Sequence, residues 1–315
     1  MKYIDDLIEN AASVFITGHV NPDGDCVGSC LAAYNYITAN YPDLDVDVYL
    51  ESAPKKFSFI KNHDKIDSSY AADKKYDLAI VLDCSGRERL GSSVKYFDSA
   101  GSSVVIDHHL TGSGIGDENY IFPDASSACE VLYNFLKHDR LDLDIALPLY
   151  VGMISDTGVF KYDCTSADSM RIAGELMSYG IDTESVIDES YYLMDHNENR
   201  IMGVALERSE TFIDGKVIYS YITKEDMGKY NAAADQLGGI VSQLKLTRGT
   251  EIAIFIYEKE DSTFKCSLRS KNDLDVSAIA SAFLGGGHKK AAGCTLRGSL
   301  DECFAMIMKE VEKLF

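Results

Sequence analysis

Short apolar segments alternate with longer helical patterns along the first part of the chain. The apolar segments end at polar or turn-forming residues, as buried strands do, and span residues 14–17, 45–50, 78–82 and 103–106. Helical spacing of apolar positions is found over residues 27–39, 126–136 and 144–153. This alternation predicts an α/β fold with a doubly wound, mostly parallel sheet, because parallel strands need a crossover connection, usually a helix.

The pattern changes from about residue 205. A charged helical stretch over residues 183–200 predicts a connector, and it is followed by predicted strands over residues 216–223, 251–258 and 264–270. Helical patterns then cover residues 276–284 and 300–314. We therefore predict a first α/β domain over residues 1–185, a helical linker over residues 186–204 and a smaller α/β domain over residues 205–315.

The composition is that of a globular protein with two cores. The chain has 315 residues, of which 46% are hydrophobic and 25% charged, and this excludes a disordered tail or a collagen-like fibre. No apolar run approaches the ~20 residues that a membrane-spanning helix needs. The first residues lack an apolar segment of signal-peptide length, and the eight cysteines form no C-x-x-C pair. We expect a soluble, cytoplasmic protein without a disulfide framework.

The charge of the chain is unevenly distributed. Lys and Arg number 30 against 50 Asp and Glu, which gives a net charge of −20 and excludes a polycationic binder of duplex DNA. Residues 1–200 hold 15 basic and 34 acidic side chains, whereas residues 201–315 hold 15 and 16. This asymmetry indicates different tasks for the two parts of the chain, with a solvated acidic surface as the alternative explanation.

Acidic and histidine side chains follow directly after three of the predicted strands. Because ligands bind outside the carboxyl ends of the strands in open α/β sheets, these side chains predict one shared site. Asp156, at the end of a helical pattern, is the last member of the set. The full set is His19, Asp23, Asp25, Asp83, Asp107, His108, His109 and Asp156.

A single Asp after a strand is more often a turn or helix-cap residue, and Asp25 has capping of the helix near residue 27 as an alternative role. So many carboxylates at one edge cannot all stay ionised without a counter-charge, and lysines are scarce in these segments. The counter-charge we expect is metal. Mixed Asp and His ligation suits Mn²⁺ better than Ca²⁺ or an all-oxygen Mg²⁺ site, and a pair of ions suits hydrolysis of phosphate esters or anhydrides.

The same residues resemble a known family. The motifs His19-x-Asn21-Pro22-Asp23-x-Asp25, Asp83, Asp107-His108-His109 and Ser155-Asp156-x-Gly158 resemble, in order and spacing, the four motifs of the DHH phosphoesterase superfamily. Gly285-Gly286-Gly287-His288-x-x-Ala291-Ala292-Gly293, with Arg269 upstream, resembles the DHHA1 accessory domain of subfamily 1. In size and domain content the chain is most similar to the stand-alone NrnA-type members, which degrade very short oligonucleotides and dephosphorylate 3′-phosphoadenosine 5′-phosphate (pAp).

The resemblance implies a role for each site residue. His19, Asp23 and Asp83 would hold one Mn²⁺, and Asp25, Asp83, His108 and Asp156 would hold a second, with Mg²⁺ or Co²⁺ as replacements. Asp83 would bridge the two ions, and the water deprotonated between them would be the nucleophile. Asp107 would orient its neighbours, and His109 would face the scissile phosphate.

The resemblance also implies a phosphate-binding surface in the second domain. By this resemblance, Arg269, Gly285, Gly286, Gly287 and His288 would contact a phosphate of the substrate. A glycine-rich turn alone is more often structural, but a guanidinium group on the preceding strand matches phosphate bidentately. Ser126 and Ser127 precede a helix, and either donation to a phosphate or capping of that helix would explain them.

We therefore expect a Mn²⁺-dependent hydrolase of oligonucleotides of two to a few residues, with pAp phosphatase activity. Hydrolysis of c-di-AMP or its linear product pApA, hydrolysis of polyphosphate or pyrophosphate, and nucleotide sensing without catalysis are the alternatives. The expected partners are short single-stranded oligonucleotides and nucleotide bisphosphates, with neither long duplex DNA nor a membrane. The sequence is compatible with a homodimer and does not determine the oligomeric state.

Overall fold

The computed structural model describes residues 2–110, 114–260 and 262–315. The chain divides into two compact units, with the break between Leu193 and Met194. This break lies inside the segment 186–204 that the sequence predicts as a linker. That segment is helical in two pieces, since a π-helical turn ends at Tyr192 and the next helix begins at His196.

The first unit is built on a six-stranded sheet in which every pairing is parallel. Its strands are β1 (Ser13–Thr17), β2 (Asp45–Tyr49), β3 (Ile66–Asp67), β4 (Leu78–Leu82), β5 (Ser102–Asp107) and β6 (Glu118–Ile121). Their order across the sheet is β3-β2-β1-β4-β5-β6, so the direction of winding reverses between β1 and β4. In such sheets the crevice at the carboxyl ends of the two strands beside the reversal is the usual ligand site.

Helices cover both faces of this sheet. They are α1 (Ile4–Ile8), α2 (Gly24–Asn40), α3 (Val94–Ser99), α4 (Ala128–Tyr133), α5 (Leu143–Asp156), α6 (Ala167–Met177) and α7 (Thr183–Ile187). Because side chains alternate along a strand, Val14 and Ile16 join the large core that contains α2 and α5, whereas Phe15 packs with Tyr96 of α3 on the other face. This confirms the doubly wound, mostly parallel α/β architecture.

The contact between α2 and α5 explains how a proline is accommodated within a buried helix. Pro148 has no N–H to donate to the carbonyl of Asp144, and the side-chain amide of Asn35 donates to that carbonyl instead, at 2.8 Å. Gly28 of α2 lies against the carbonyl of Pro148, where a Cβ would overlap the oxygen. The two helices that carry Asp25 and Asp156 are thereby held in close contact.

The second unit has a mixed six-stranded sheet in which only β8 and β9 pair in parallel. Its strands are β7 (Glu210–Phe212), β8 (Val217–Ile222), β9 (Ile252–Glu258), β10 (Thr263–Ser270), β11 (Gly286–His288) and β12 (Ala291–Arg297), in the order β11-β12-β10-β9-β8-β7. Its helices are α8 (His196–Glu207), α9 (Lys224–Tyr230), α10 (Ile240–Lys245), α11 (Val276–Ser281) and α12 (Leu300–Val311). Separate apolar cores lie on the two faces of the sheet.

Every strand predicted from the apolar runs is present in the structure. The strands that the sequence analysis missed are β3, β6, β7, β11 and β12. These strands are very short or lack a continuous apolar run. Because β3 was missed, the third of the predicted strands, Leu78–Leu82, is the fourth strand of the structure. Within the described residues, none of the helices combines the length and the apolar character that crossing a membrane requires.

Candidate metal centre

The adjacent strands β1, β4 and β5 deliver the motif residues to one edge of the first sheet. His19 follows β1, Asp83 follows β4, and Asp107 is the last residue of β5. Because these strands are parallel neighbours, their carboxyl ends bring the three side chains together, with Asp83 in the middle. Asp156 reaches the same place from the last residue of α5.

Two aspartates at the start of α2 have different tasks. The carboxylate of Asp23 caps the helix, accepting from the backbone N–H groups of Asp25 at 3.1 Å and Cys26 at 3.2 Å. Capping of this helix by Asp25, the alternative role considered from the sequence, is therefore wrong, because α2 starts at Gly24 rather than near residue 27. Asp25 is fully buried, and its two oxygens accept from the N–H groups of Ala128 at 2.6 Å and Cys129 at 3.0 Å.

Asp83 contacts all three histidines of the site. Its Oδ2 lies 3.3 Å from Nε2 of His19, and its Oδ1 lies 3.6 Å from Nε2 of His108 and 3.5 Å from Nδ1 of His109. The backbone at Asp83 has a φ of +53°, in the left-handed region that few residues other than glycine adopt. Strain of this kind is characteristic of functional sites, and it turns the carboxylate between the imidazoles.

His108 is surrounded by carboxylates. Besides Asp83, its Nε2 lies 3.2 Å from Oδ2 of Asp156 and 3.8 Å from Oδ2 of Asp25. On the other side of the site, Nε2 of His19 lies 3.8 Å from Oδ1 of Asp23. The structure thus brings the expected ligands into two neighbouring groups that share Asp83.

The pKa values of the site reflect this crowding of charge. Burial favours the neutral ring of His19, but the neighbouring carboxylates of Asp23 and Asp83 outweigh it and raise the pKa of His19 to about 11. Burial likewise favours the neutral ring of His108, but the neighbouring carboxylates of Asp156 and Asp83 raise the pKa of His108 to about 12. Burial raises the pKa of Asp25 and Asp156, whereas the two histidines hold the pKa of Asp83 below its usual range despite burial. The carboxylates therefore require positive charge among them.

The donor atoms fit metal ions. Three groups of side chains bring donor atoms within 4.8 Å of one another: His19, Cys26 and Asp83; Asp83, His108 and His109; and Asp25, His108 and Asp156. Within the described chain, Oδ1 of Asp83 and Nε2 of His108 are buried polar atoms without a hydrogen-bond partner, which costs about 1–3 kcal/mol each. Coordination to an ion would satisfy both, and the mixed carboxylate and imidazole set suits Mn²⁺ and related ions.

Asp107 and His109 form a separate pair beside these ligands. Asp107 is fully buried, and its Oδ1 lies 2.7 Å from Nδ1 of His109. This hydrogen bond, opposed by burial, raises the pKa of His109. An imidazole held through Nδ1 presents its other nitrogen in a fixed direction.

Ser126 and Ser127 lie at the start of α4, and their hydroxyl groups have partners inside the protein. Ser127 caps the helix by accepting from the N–H of Glu130 at 3.0 Å. Ser126 donates to the carboxylate of Glu130, and both serines are buried. Of the two roles considered from the sequence, capping is the one seen for Ser127.

Two residues beside the candidate ligands were not predicted from the sequence. Cys26 adds a buried thiol to the donor group around His19, and burial raises the pKa of that thiol. Glu130 is a buried carboxylate that accepts from Ser126, and the S-x-x-E spacing from Ser127, typical of a helix start, was the available signal.

The second unit presents its candidate phosphate ligands on one sheet face. Arg269 of β10 and His288 of β11 both pair with Ala291, from opposite sides of β12. Directly opposed residues project to the same face, so the guanidinium and imidazole groups share that face. The glycine-rich segment is an edge strand rather than a turn. Gly287 has a φ of +140°, and a Cβ there would overlap β12, whereas Gly286 faces open space among the described residues.

Comparisons with known proteins agree with this arrangement. The family model of the DHH family, N-terminal domain, matches residues 13–153, and that of the DHHA1 domain matches residues 214–315. The bifunctional oligoribonuclease and PAP phosphatase NrnA of Thermus thermophilus is 26% identical over 313 residues, which cover 95% of this chain and 89% of the relative. The probable bifunctional oligoribonuclease and PAP phosphatase NrnA of Streptococcus mutans is 28% identical over 290 residues, which cover 89% of this chain and 88% of the relative.

One solved structure is similar over nearly the whole chain. The crystal structure of an exopolyphosphatase-related protein from Bacteroides fragilis has a TM-score of 0.89 and 25% sequence identity, and the match covers 98% of this chain and 94% of that chain.

Proposed function

The chain is a phosphoesterase of the DHH family with a DHHA1 domain, and from that premise we propose that it hydrolyses very short oligonucleotides to mononucleotides and pAp to AMP. This makes it an oligoribonuclease and a 3′(2′),5′-bisphosphate nucleotidase. The proposal takes its substrate class from the relatives described as bifunctional oligoribonucleases and PAP phosphatases.

The observation that carries the proposal is the convergence of carboxylates and imidazoles around Asp83. Asp83 lies within 3.3–3.6 Å of three histidines, at the carboxyl edge of the sheet where winding reverses. Its Oδ1 and Nε2 of His108 have no other hydrogen-bond partner in the described residues, as expected of two metal ligands. Buried polar groups are usually satisfied, and coordination to an ion would satisfy these two.

We propose that His19, Asp23 and Asp83 hold one Mn²⁺ and that Asp25, Asp83, His108 and Asp156 hold the second. When bound, such ions supply Lewis acidity toward phosphoryl oxygens and lower the pKa of a coordinated water. The chain itself holds the ligands at one sheet edge and provides the carboxylates whose charge the ions offset.

Asp107 and His109 act on the substrate side in this proposal. Because Asp107 engages Nδ1 of His109, we assign the Nε2 edge of that ring to the scissile phosphate. In the second unit, Arg269, Gly285, Gly286, Gly287 and His288 are assigned to a second substrate phosphate. A guanidinium and an imidazole on one sheet face suit a compact anion such as phosphate.

A substrate panel with metal analysis tests the proposal. Purified protein is assayed for bound metal, and turnover is then compared on pApA, pAp, c-di-AMP, inorganic polyphosphate and a ~20-nucleotide RNA, with Mn²⁺, Mg²⁺ or Co²⁺. We expect pApA and pAp to be cleaved with the highest kcat/KM, with Mn²⁺ as the best metal. Fastest cleavage of c-di-AMP or polyphosphate would overturn the substrate assignment, and nucleotide binding without turnover would instead indicate a sensor.

A further inference from the structure

Glu130 is a buried carboxylate whose hydrogen bonds converge on one oxygen. It is 6% exposed, and its Oε2 accepts from the N–H of Ser126 at 3.2 Å, from the hydroxyl of Ser126, and from the hydroxyl of Ser169 at 2.7 Å. A buried carboxylate is costly unless such donors satisfy it. Ser169 belongs to α6 and Ser126 precedes α4, so Glu130 ties two helices together.

The backbone on either side of Ser126 contacts two of the expected ligands of the second ion. The carbonyl of Ala125 lies 3.4 Å from Nδ1 of His108. The N–H groups of Ala128 and Cys129 donate to the two oxygens of Asp25 at 2.6 and 3.0 Å. The backbone of the segment 125–129 therefore orients the side chains of Asp25 and His108.

We propose that Glu130 is a positioning residue, which fastens Ser126 so that the segment 125–129 holds Asp25 and His108 in the geometry required by the second ion. The inference rests on the proposed function, since the ligand assignments come from there. It also assigns Ser126 to the support of the metal centre rather than to substrate phosphate. Changes in such supporting groups typically weaken metal binding about 10–100-fold.

Two substitutions at Glu130 distinguish the effect of its hydrogen bonds from the effect of its negative charge. All three donors meet a single oxygen, and the amide oxygen of Glu130→Gln can accept them while the negative charge is lost. Glu130→Ala removes both the acceptor and the charge. If Glu130 acts by positioning, the Gln variant retains most of the function of the wild type, whereas the Ala variant does not.

Asp5 offers a matched control in the same unit. It is 7% exposed and accepts hydrogen bonds from Tyr36 and Arg140, at 2.8 and 2.6 Å. Tyr36 lies 11 residues beyond Asp25 on α2, or ~16 Å at the helical rise of 1.5 Å per residue. Asp5→Asn therefore disturbs a buried carboxylate of similar exposure without touching the metal ligands.

The experiment measures Mn²⁺ binding by calorimetry and the spin-coupled dimanganese signal by electron paramagnetic resonance, in the full chain. We expect two Mn²⁺ in the wild type and in Asp5→Asn, a loss of about 10–100-fold in affinity for one ion in Glu130→Ala, and recovery of most of that affinity in Glu130→Gln. Full affinity in Glu130→Ala, equal losses in the Ala and Gln variants, or an equal loss in Asp5→Asn would each overturn the inference. Fewer than two ions in the wild type would instead overturn the proposed function.

Discussion

Asp83 is the side chain that all three histidines of the candidate site contact. Its carboxylate contacts His19, His108 and His109, and its φ of +53° is a conformation that Asp and Asn tolerate better than most residues. The left-handed backbone also determines which substitution removes the charge of Asp83 without adding backbone strain. Asn fits this backbone and retains the size of the side chain, whereas Ala adds strain to the loss of the carboxylate.

Asp83→Asn should lower turnover on pApA by on the order of 10³-fold or more, since removal of one member of a catalytic set usually disables the whole set. Bound Mn²⁺, measured by elemental analysis, should fall in parallel. Asp98→Asn is the control, because Asp98 pairs with Arg87 at the surface. Unchanged turnover in Asp83→Asn would contradict the bridging role.

Mn²⁺ binding should release protons and become tighter as pH rises. Burial favours neutral rings, but their carboxylate partners raise the pKa of His19 to about 11 and that of His108 to about 12, so both carry a proton at neutral pH when no metal is bound. A protonated nitrogen cannot bind an ion, so the proton must leave. Calorimetry at about pH 6 and about pH 8, in buffers of different ionisation enthalpy, should show about a tenfold gain in affinity per pH unit for each displaced proton. An affinity independent of pH would contradict this assignment of charge.

Arg269→Ala should raise KM for pAp about 10–100-fold while the content of bound metal stays constant, because a charge-assisted hydrogen bond contributes about 1.5–3 kcal/mol. Arg297→Ala is the matched control, since Arg297 lies on β12 opposite Thr263, at the far end of the same ladder. A change in kcat or metal content as large as the change in KM would argue against a role confined to substrate binding.

The contact between α2 and α5 sets the spacing of ligands that come from separate helices. Asp25 stands in the first turn of α2, and Asp156 is the last residue of α5. Gly28 allows the two helices to meet, because a Cβ at that position would overlap the carbonyl of Pro148 and approach the nitrogen of Gly152 to 3.1 Å. The packing of these two helices therefore sets the distance between the two candidate ligands.

Gly28→Ala should destabilise the first unit by about 1–3 kcal/mol and weaken Mn²⁺ binding, because the added methyl group forces α2 away from α5. Gly174→Ala is the control on α6, where a Cβ meets nothing within 4 Å among the described residues, and it should stabilise the protein by about 0.5–1 kcal/mol. Denaturant unfolding and metal titration of both variants provide the measurements. A Gly28→Ala protein that is as stable and binds Mn²⁺ as tightly as the wild type would contradict the close contact.

The negative charge of the whole molecule is concentrated in the unit that carries the candidate metal centre. Up to Leu193 the chain holds 14 basic and 32 acidic side chains, and from Met194 onward it holds 16 and 18. Asp23, Asp25, Asp83, Asp107 and Asp156 account for part of the excess, and two divalent ions would offset four of their five charges. The remaining acidic surface repels polyanions over distances set by the ionic strength.

Raising the salt concentration should therefore lower KM for a ~20-nucleotide RNA relative to KM for pApA, because screening weakens the repulsion. This is opposite in sign to the salt dependence of proteins that bind nucleic acid through basic grooves. Steady-state kinetics at several KCl concentrations, with Mn²⁺ held constant, measure the ratio. A ratio that rises with salt would indicate a basic track for long strands.

The local order of residues predicted a mostly parallel sheet, and it placed the acidic and histidine side chains at one edge of that sheet, because apolar runs form strands and parallel strands end at a common edge. It also predicted the uneven charge and the shared site at that edge. The folded structure decided the rest: that Asp23 rather than Asp25 caps α2, that the glycine-rich segment is an edge strand, and that Glu130 binds Ser126 and Ser169. The direction in which a side chain points depends on its backbone dihedral angles and on neighbours far away in the chain, as Asp83 shows, and only the folded molecule specifies these.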